Sequence, residues 1–168
     1  MKYSPRHEDT LMRAIYGVLV VAAFVLMSFG TGVVRAILLS AAVACLGVGL
    51  YLFMRHDLTT YTYIVMENED RLDFYVDKAT GKRGAYVCYY PLCDAIGIFP
   101  LEKGTKKELS AKHGRVFFYN YSHNRFCQGK YVVLFQNDGY CDGVICQLDS
   151  GSAAYIERGI SLSKSDGE

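Results

Sequence analysis

Charge is segregated along this chain, and that segregation limits the possible folds more than any other feature. Residues 14–54 contain one charged side chain, Arg35, whereas residues 55–168 carry 14 basic and 15 acidic ones. The 21 uncharged residues 14–34 and the 19 uncharged residues 36–54 are each close to the ~20 that a helix needs to cross about 30 Å of hydrocarbon. Gly30-Thr31-Gly32 lies near their boundary, and glycines flanking a hydroxyl residue suit a tight reversal. The pattern predicts an antiparallel hairpin of membrane helices over 11–29 and 33–53, with 1–10 as an amino-terminal flank. A cleaved signal peptide fits poorly, because its apolar stretch is about 7 to 15 residues and no second full span follows it.

Basic residues near the helix ends set the expected orientation. Lys2, Arg6 and Arg13 precede the first span and Arg55 follows the second, against Arg35 alone near the turn. Both termini are therefore expected in the cytoplasm, with the chain a multi-pass protein of the cell membrane and the lipid bilayer its first partner. Within the second span, Ala36, Ser40 and Ala44 recur every four residues, with Gly47 nearby. Small residues at that spacing let helix backbones approach closely. The preferred reading is a packing seam against the protein's own first span, and the alternative is self-association.

Cysteine usage agrees with a reducing compartment. Cys45 lies in the second span, and Cys88, Cys93, Cys127, Cys141 and Cys146 follow, an odd number for a disulfide framework. Cys88 with Cys93, and Cys141 with Cys146, are each separated by four residues, a spacing only weakly suggestive of metal ligands. Cys88 and Cys146 sit in apolar, strand-like runs, so core thiols are the better reading, and no metal or cofactor is expected.

Beyond residue 54 the periodicity changes to two. Tyr61, Tyr63 and Val65 alternate with Thr60, Thr62 and Ile64, and after Glu67-Asn68-Glu69-Asp70 the pattern resumes as Leu72, Phe74 and Val76. Further strands are expected over 85–90, 95–99, 116–121, 131–136 and 141–148, with Asn137-Asp138-Gly139 turning between the last two. The lysine-rich residues 101–114 read as a long exposed loop. Residues 152–158 read as a short helix capped by Asp149 or Ser150 and closed by Gly159. The expectation is a β domain over 55–160, about seven antiparallel strands plus a short helix, and a disordered tail over 161–168.

Two spans, about seven strands and a terminal helix together resemble bacterial membrane-anchored proteins with a pleckstrin-homology-like domain. The residues that carry the resemblance are Tyr61-Thr62-Tyr63-Ile64-Val65-Met66, Arg71-Leu72-Asp73-Phe74-Tyr75-Val76 and Tyr90-Pro91-Leu92-Cys93-Asp94-Ala95-Ile96-Gly97-Ile98. It implies a barrel or sandwich closed by a helix. Phosphoinositide-binding members of the wider fold carry basic residues at the first turn, and the acidic Glu67-Asn68-Glu69-Asp70 cannot serve that role.

Several chemistries can be weighed. Lys103, Lys106, Lys107 and Lys112 form a second basic group suited to an anionic headgroup surface, though Glu102 and Glu108 offset them. A cysteine enzyme would need a thiolate beside His113 or His123, oriented by Asp94, Asp138 or Asp142, and no local signature fixes that geometry. No catalytic residue is assigned. Residues 55–168 sum to −1, which argues against nucleic acid. The leading expectation is a membrane-tethered scaffold that presents an edge or groove to a protein partner, or self-associates through its spans. Lipid sensing and cysteine chemistry are the alternatives.

Overall fold

A computed structural model describes residues 1–5, 10–68, 71–80, 83–123 and 129–165, apart from the side chains of His56 and Arg83. Two compact units result: His7–Thr59, and Met1–Arg6 together with Thr60–Glu168.

The first unit is a helical pair, α1 (Thr10–Met27) and α2 (Gly32–Phe53), followed by a π-helical turn at Met54–Leu58. The reversal falls where the sequence places it, with Gly30 at φ 92° and Gly32 at φ 57°, values that suit residues lacking a Cβ. Both helices are long and apolar enough to cross a membrane, and only 11% of each apolar window is buried. That low burial separates them from the core helices of a soluble domain. Among the described residues the apolar side chains of α1 and α2, such as Val33 at 79%, are largely exposed, a pattern compatible with an apolar medium around them.

Among the described residues, the second unit holds eight strands and two α-helices. One sheet has the order β1 (Lys2–Tyr3), β2 (Thr59–Asn68), β3 (Arg71–Thr80), β4 (Arg83–Pro91). A 3-10 turn at Leu92–Asp94 leads into the second sheet, which contains β5 (Ala95–Pro100), β6 (Val116–Asn120), β7 (Lys130–Asn137) and β8 (Tyr140–Gln147) in the order β5-β7-β8-β6. Helix α3 (Thr105–His113) connects β5 to β6, and α4 (Ser150–Ser165) ends the fold. The inner faces share one core built on Tyr63, Phe74, Val76, Phe135, Val144 and Ile156, with the Phe74 and Phe135 rings stacked at 5.9 Å. A second cluster, Leu109 with Val132, Leu134, Cys141 and Ile145, lies between α3 and the opposite face of the second sheet.

Six expectations need correction. Residues 105–113 form a helix where a loop was expected, because Leu109 seats on the second sheet. The last helix spans Ser150–Ser165, so residues 161–165, expected in a disordered tail, are helical, and Gly159 lies inside it. A Cβ there would stand 3.1 Å from Leu92 Cδ1, which makes this glycine a close-packing residue rather than a stop. The second sheet is mixed rather than antiparallel, since β6 runs parallel to β8 with Val116 beside Cys141 and Asn120 beside Ile145. An eighth strand, β1, lies in the amino-terminal flank and pairs Lys2 with Ile64 and Tyr3 with Tyr63. Finally, α2 meets α1 through a different face from the one its small residues suggest, as described below.

Candidate functional site

The outer face of β3 and β4 gathers a connected set of polar and aromatic side chains. Alternation along β3 sends Leu72, Phe74 and Val76 inward and Arg71, Asp73 and Tyr75 outward. Cross-strand pairing sets Tyr89 opposite Tyr75 and Tyr86 opposite Asp77, and a bulge between them leaves Val87 without a partner on β3. The Tyr75 ring lies 5.0 Å from Tyr89 and 5.5 Å from Tyr86. Tyr86 is 65% exposed, and β4 is the last strand of its sheet.

Beneath these rings Asp73 is fully buried although it belongs to the outer face. Its carboxylate pairs with Arg71 Nε at 3.2 Å. It also accepts hydrogen bonds from Asn68 Nδ2 at 3.4 Å, the Tyr75 hydroxyl at 3.4 Å and the Tyr89 hydroxyl at 3.5 Å. Arg71 also donates to the Tyr89 hydroxyl, and its guanidinium carbon stands 5.9 Å from that ring's centre. The Asp73 charge raises the Arg71 pKa, and desolvation together with the same carboxylate raises that of Tyr75. Multiple partners hold the rotamers of one cation and two tyrosines on this face. In the sequence Arg71, Asp73 and Tyr75 stand out only as carriers of the family resemblance, and neither they nor Tyr86 are marked there as binding residues. The available signal was an acid between Leu72 and Phe74, at the outward position of an alternating strand.

A second buried carboxylate, Asp142, faces the space between the sheets. It accepts from the Tyr90 hydroxyl at 3.0 Å and from Asn137 Nδ2 at 2.8 Å, both on Oδ2. Its Oδ1 is buried and has no partner among the described residues. Burial drives the Tyr90 hydroxyl pKa well above its usual value and the Cys88 thiol up to about 12.

The cysteines are spread rather than clustered. Cys141 packs toward α3 and Cys146 toward the inter-sheet core, as their separation of five positions on one strand requires. Cys93 is exposed, Cys88 is half-buried, and both are free, as is Cys45 in α2. Burial raises the thiols of Cys88, Cys93, Cys141 and Cys146, the reverse of what a thiolate nucleophile needs. Among the described residues no three His, Cys, Asp or Glu side chains group as metal ligands. His113 ends α3, His123 is buried beyond β6, and Cys127 lies outside the described residues. Asp94 accepts from the Cys93 thiol, and Asp138 lies in the turn between β7 and β8.

Lys106, Lys107 and Lys112 are exposed on α3, with Lys103 just before it. In the helical pair, Ala36, Ser40 and Ala44 are exposed, while the buried positions of α2 are Ala42 and Gly49. Gly49 is where α1 comes close, a Cβ there falling 3.7 Å from the Tyr16 carbonyl oxygen. An apolar cavity of about 380 Å³ lies between the helices, lined by Tyr16, Val20, Leu46, Gly49, Leu50 and Phe53. Asp57 sits at the same end, paired with Arg13 at 2.9 Å and accepting from the Tyr16 hydroxyl.

Comparison with known proteins finds no matching family model, no characterised protein of significant similarity and no solved structure of significant similarity.

Proposed function

We propose that this is an integral membrane protein whose pleckstrin-homology-like β domain is a docking module for another protein, held at the cytoplasmic face. The observation that carries the reading is the outer face of β3 and β4. Tyrosine and arginine are the residue types that dominate binding energy at protein interfaces, and here they are prearranged over a buried carboxylate at an open sheet edge.

Three further observations support the setting. The outward apolar side chains of α1 and α2 call for hydrocarbon around them. Pairing of β1 with β2 joins the segments before and after the helical pair, which favours an even number of crossings and both termini on one side. Lys2, Arg6, Arg13 and Arg55 favour the cytoplasm as that side. Facing sheets with a terminal helix support kinship with the pleckstrin-homology-like fold, whereas α3 and the parallel β6 are additions to it.

Photo-crosslinking in intact membranes tests the docking surface. A benzoylphenylalanine at Tyr86 should give a discrete adduct that disappears when Tyr75→Ser and Tyr89→Ser are added, while the same probe at the exposed Tyr155 gives none. Equal adducts at both positions, or none at Tyr86, would count against this face.

A further inference from the structure

The β domain is close to neutral as a whole, but its charge is not evenly placed. Residues 101–115, made of α3 and its two flanks, hold five basic side chains against two acidic ones, a net of +3. The rest of residues 55–168 holds nine basic against thirteen acidic, a net of −4. We propose that this asymmetry turns α3 toward the bilayer, so that its outer face rests on the anionic headgroups of the leaflet in which the chain is anchored.

The geometry of α3 suits such a contact. Leu109 is buried against the second sheet, and at about 100° per residue Lys107 points away from it while Lys106 and Lys112 flank it at about 60° on either side. Long side chains on the two flanks can reach the same plane as the outward one, because their alkyl stems follow the surface while the ammonium groups seek phosphate. The Lys106 ammonium already lies 5.3 Å from the Phe118 ring centre, and the Arg115 guanidinium carbon 4.7 Å from that of Phe117. Lys103 adds a further exposed ammonium before the helix. Glu108 stays near the helix amino terminus, its Oε1 3.5 Å from where a Gly104 Cβ would be.

Magnitude decides between orientation and recruitment. A free domain of net charge −1 gains nothing overall from an anionic surface. A tethered domain has already lost its translational freedom, so only the difference between its two sides matters. Each basic residue held near an anionic leaflet contributes about a fivefold preference. Two or three of them suffice to bias the orientation strongly. The inference rests on the membrane reading of α1 and α2, and it does not depend on the β3–β4 docking face.

The test is amine acetylation of the full chain, read residue by residue by mass spectrometry, in nanodiscs of phosphatidylcholine alone or with about a quarter phosphatidylglycerol. Lys103, Lys106, Lys107 and Lys112 should react about fivefold more slowly in the anionic discs, with the difference lost in molar salt as the Debye length shrinks to about 3 Å. Lys78 and Lys164, exposed elsewhere on the domain, serve as controls and should change little. A paired Lys106→Gln and Lys107→Gln variant should abolish the protection of Lys103 and Lys112 while the circular dichroism spectrum is unchanged. Equal rates in the two lipids, protection shared by Lys78 and Lys164, or protection that survives high salt would overturn the proposal. Co-purification of the chain with the disc reports separately on whether the spans insert.

Discussion

At the scale of single residues, the fold buries two carboxylates and several thiols, and each group is handled differently. Asp73 is surrounded by one cation and three neutral donors, whereas Asp142 has two donors on one oxygen only among the described residues. The thiols stay protonated. Burial raises Cys88 from its ordinary 9.0 to about 12, and Cys146 is also raised well above 9.0. The folded state therefore holds protons that the unfolded chain releases above about pH 9, so these groups favour folding fully below that value. Their contribution is lost as pH climbs from 9 toward 12. Denaturant titrations across that range should show stability falling with pH, and Cys88→Ala should make the fall shallower. An unchanged slope would show that Cys88 is equally accessible to water in both states. Such burial was partly legible, because Cys88 and Cys146 lie in apolar strand-like runs. That of Asp73 was not, since an acid at an outward strand position ordinarily stays in water, and here Arg71, Asn68, Tyr75 and the cross-strand Tyr89 gather over it.

Whole elements were legible in proportion to how much local sequence determines them. Strands β7 and β8 announce themselves through apolar runs joined at Asp138-Gly139, and Gly139 indeed adopts φ 80°. Helix α3 was hidden because it has one large apolar residue, Leu109, which is enough only once the second sheet offers a surface. Helix α4 was truncated in the sequence reading by Gly159, whose close approach to Leu92 is a tertiary fact. Its start was readable. The Asp149 carboxylate accepts from the Ser152 backbone N–H at 2.7 Å, and hydrogen bonding from Ser152 holds its pKa below the ordinary carboxylate value. Replacing this cap by Asp149→Ala should cost about 1 kcal/mol at neutral pH, with Asp149→Asn nearly restoring the loss. A depressed pKa contributes stability above the ordinary carboxylate range and loses it as pH falls below, so the Ala variant and the parent should converge in acid. Thermal melts at neutral and acid pH check both halves. The outward face of Ala36, Ser40 and Ala44 belongs at this scale too, because spacing identifies a face but cannot say which neighbour it meets.

For the molecule as a whole, the informative contact is also the one least visible in sequence. A strand of two residues carries no periodicity, yet β1 ties the start of the chain into the sheet that begins again at Thr59, across the entire helical pair. The Val65 N–H donates to the Met1 carbonyl at 2.8 Å, the Ser4 hydroxyl to the Tyr61 carbonyl at 3.3 Å, and the Tyr3 and Tyr63 rings stack at 6.5 Å. The helices are thus an excursion between two neighbouring strands of one sheet. If they cross a bilayer, they must leave and return on the same side, whatever the flanking charges say about which side that is. Lys2 and Lys164 are both exposed and lie in the same β unit, so they should respond alike to a membrane-impermeant amine reagent. With the cytoplasmic orientation, both should be unlabelled in sealed right-side-out cells and both labelled in inverted vesicles. Labelling of both in cells would reverse the orientation while keeping the hairpin. Labelling of one without the other in either preparation would break the β1–β2 pairing or the even number of crossings, and with it the placement of the β3–β4 surface on a domain anchored by a hairpin.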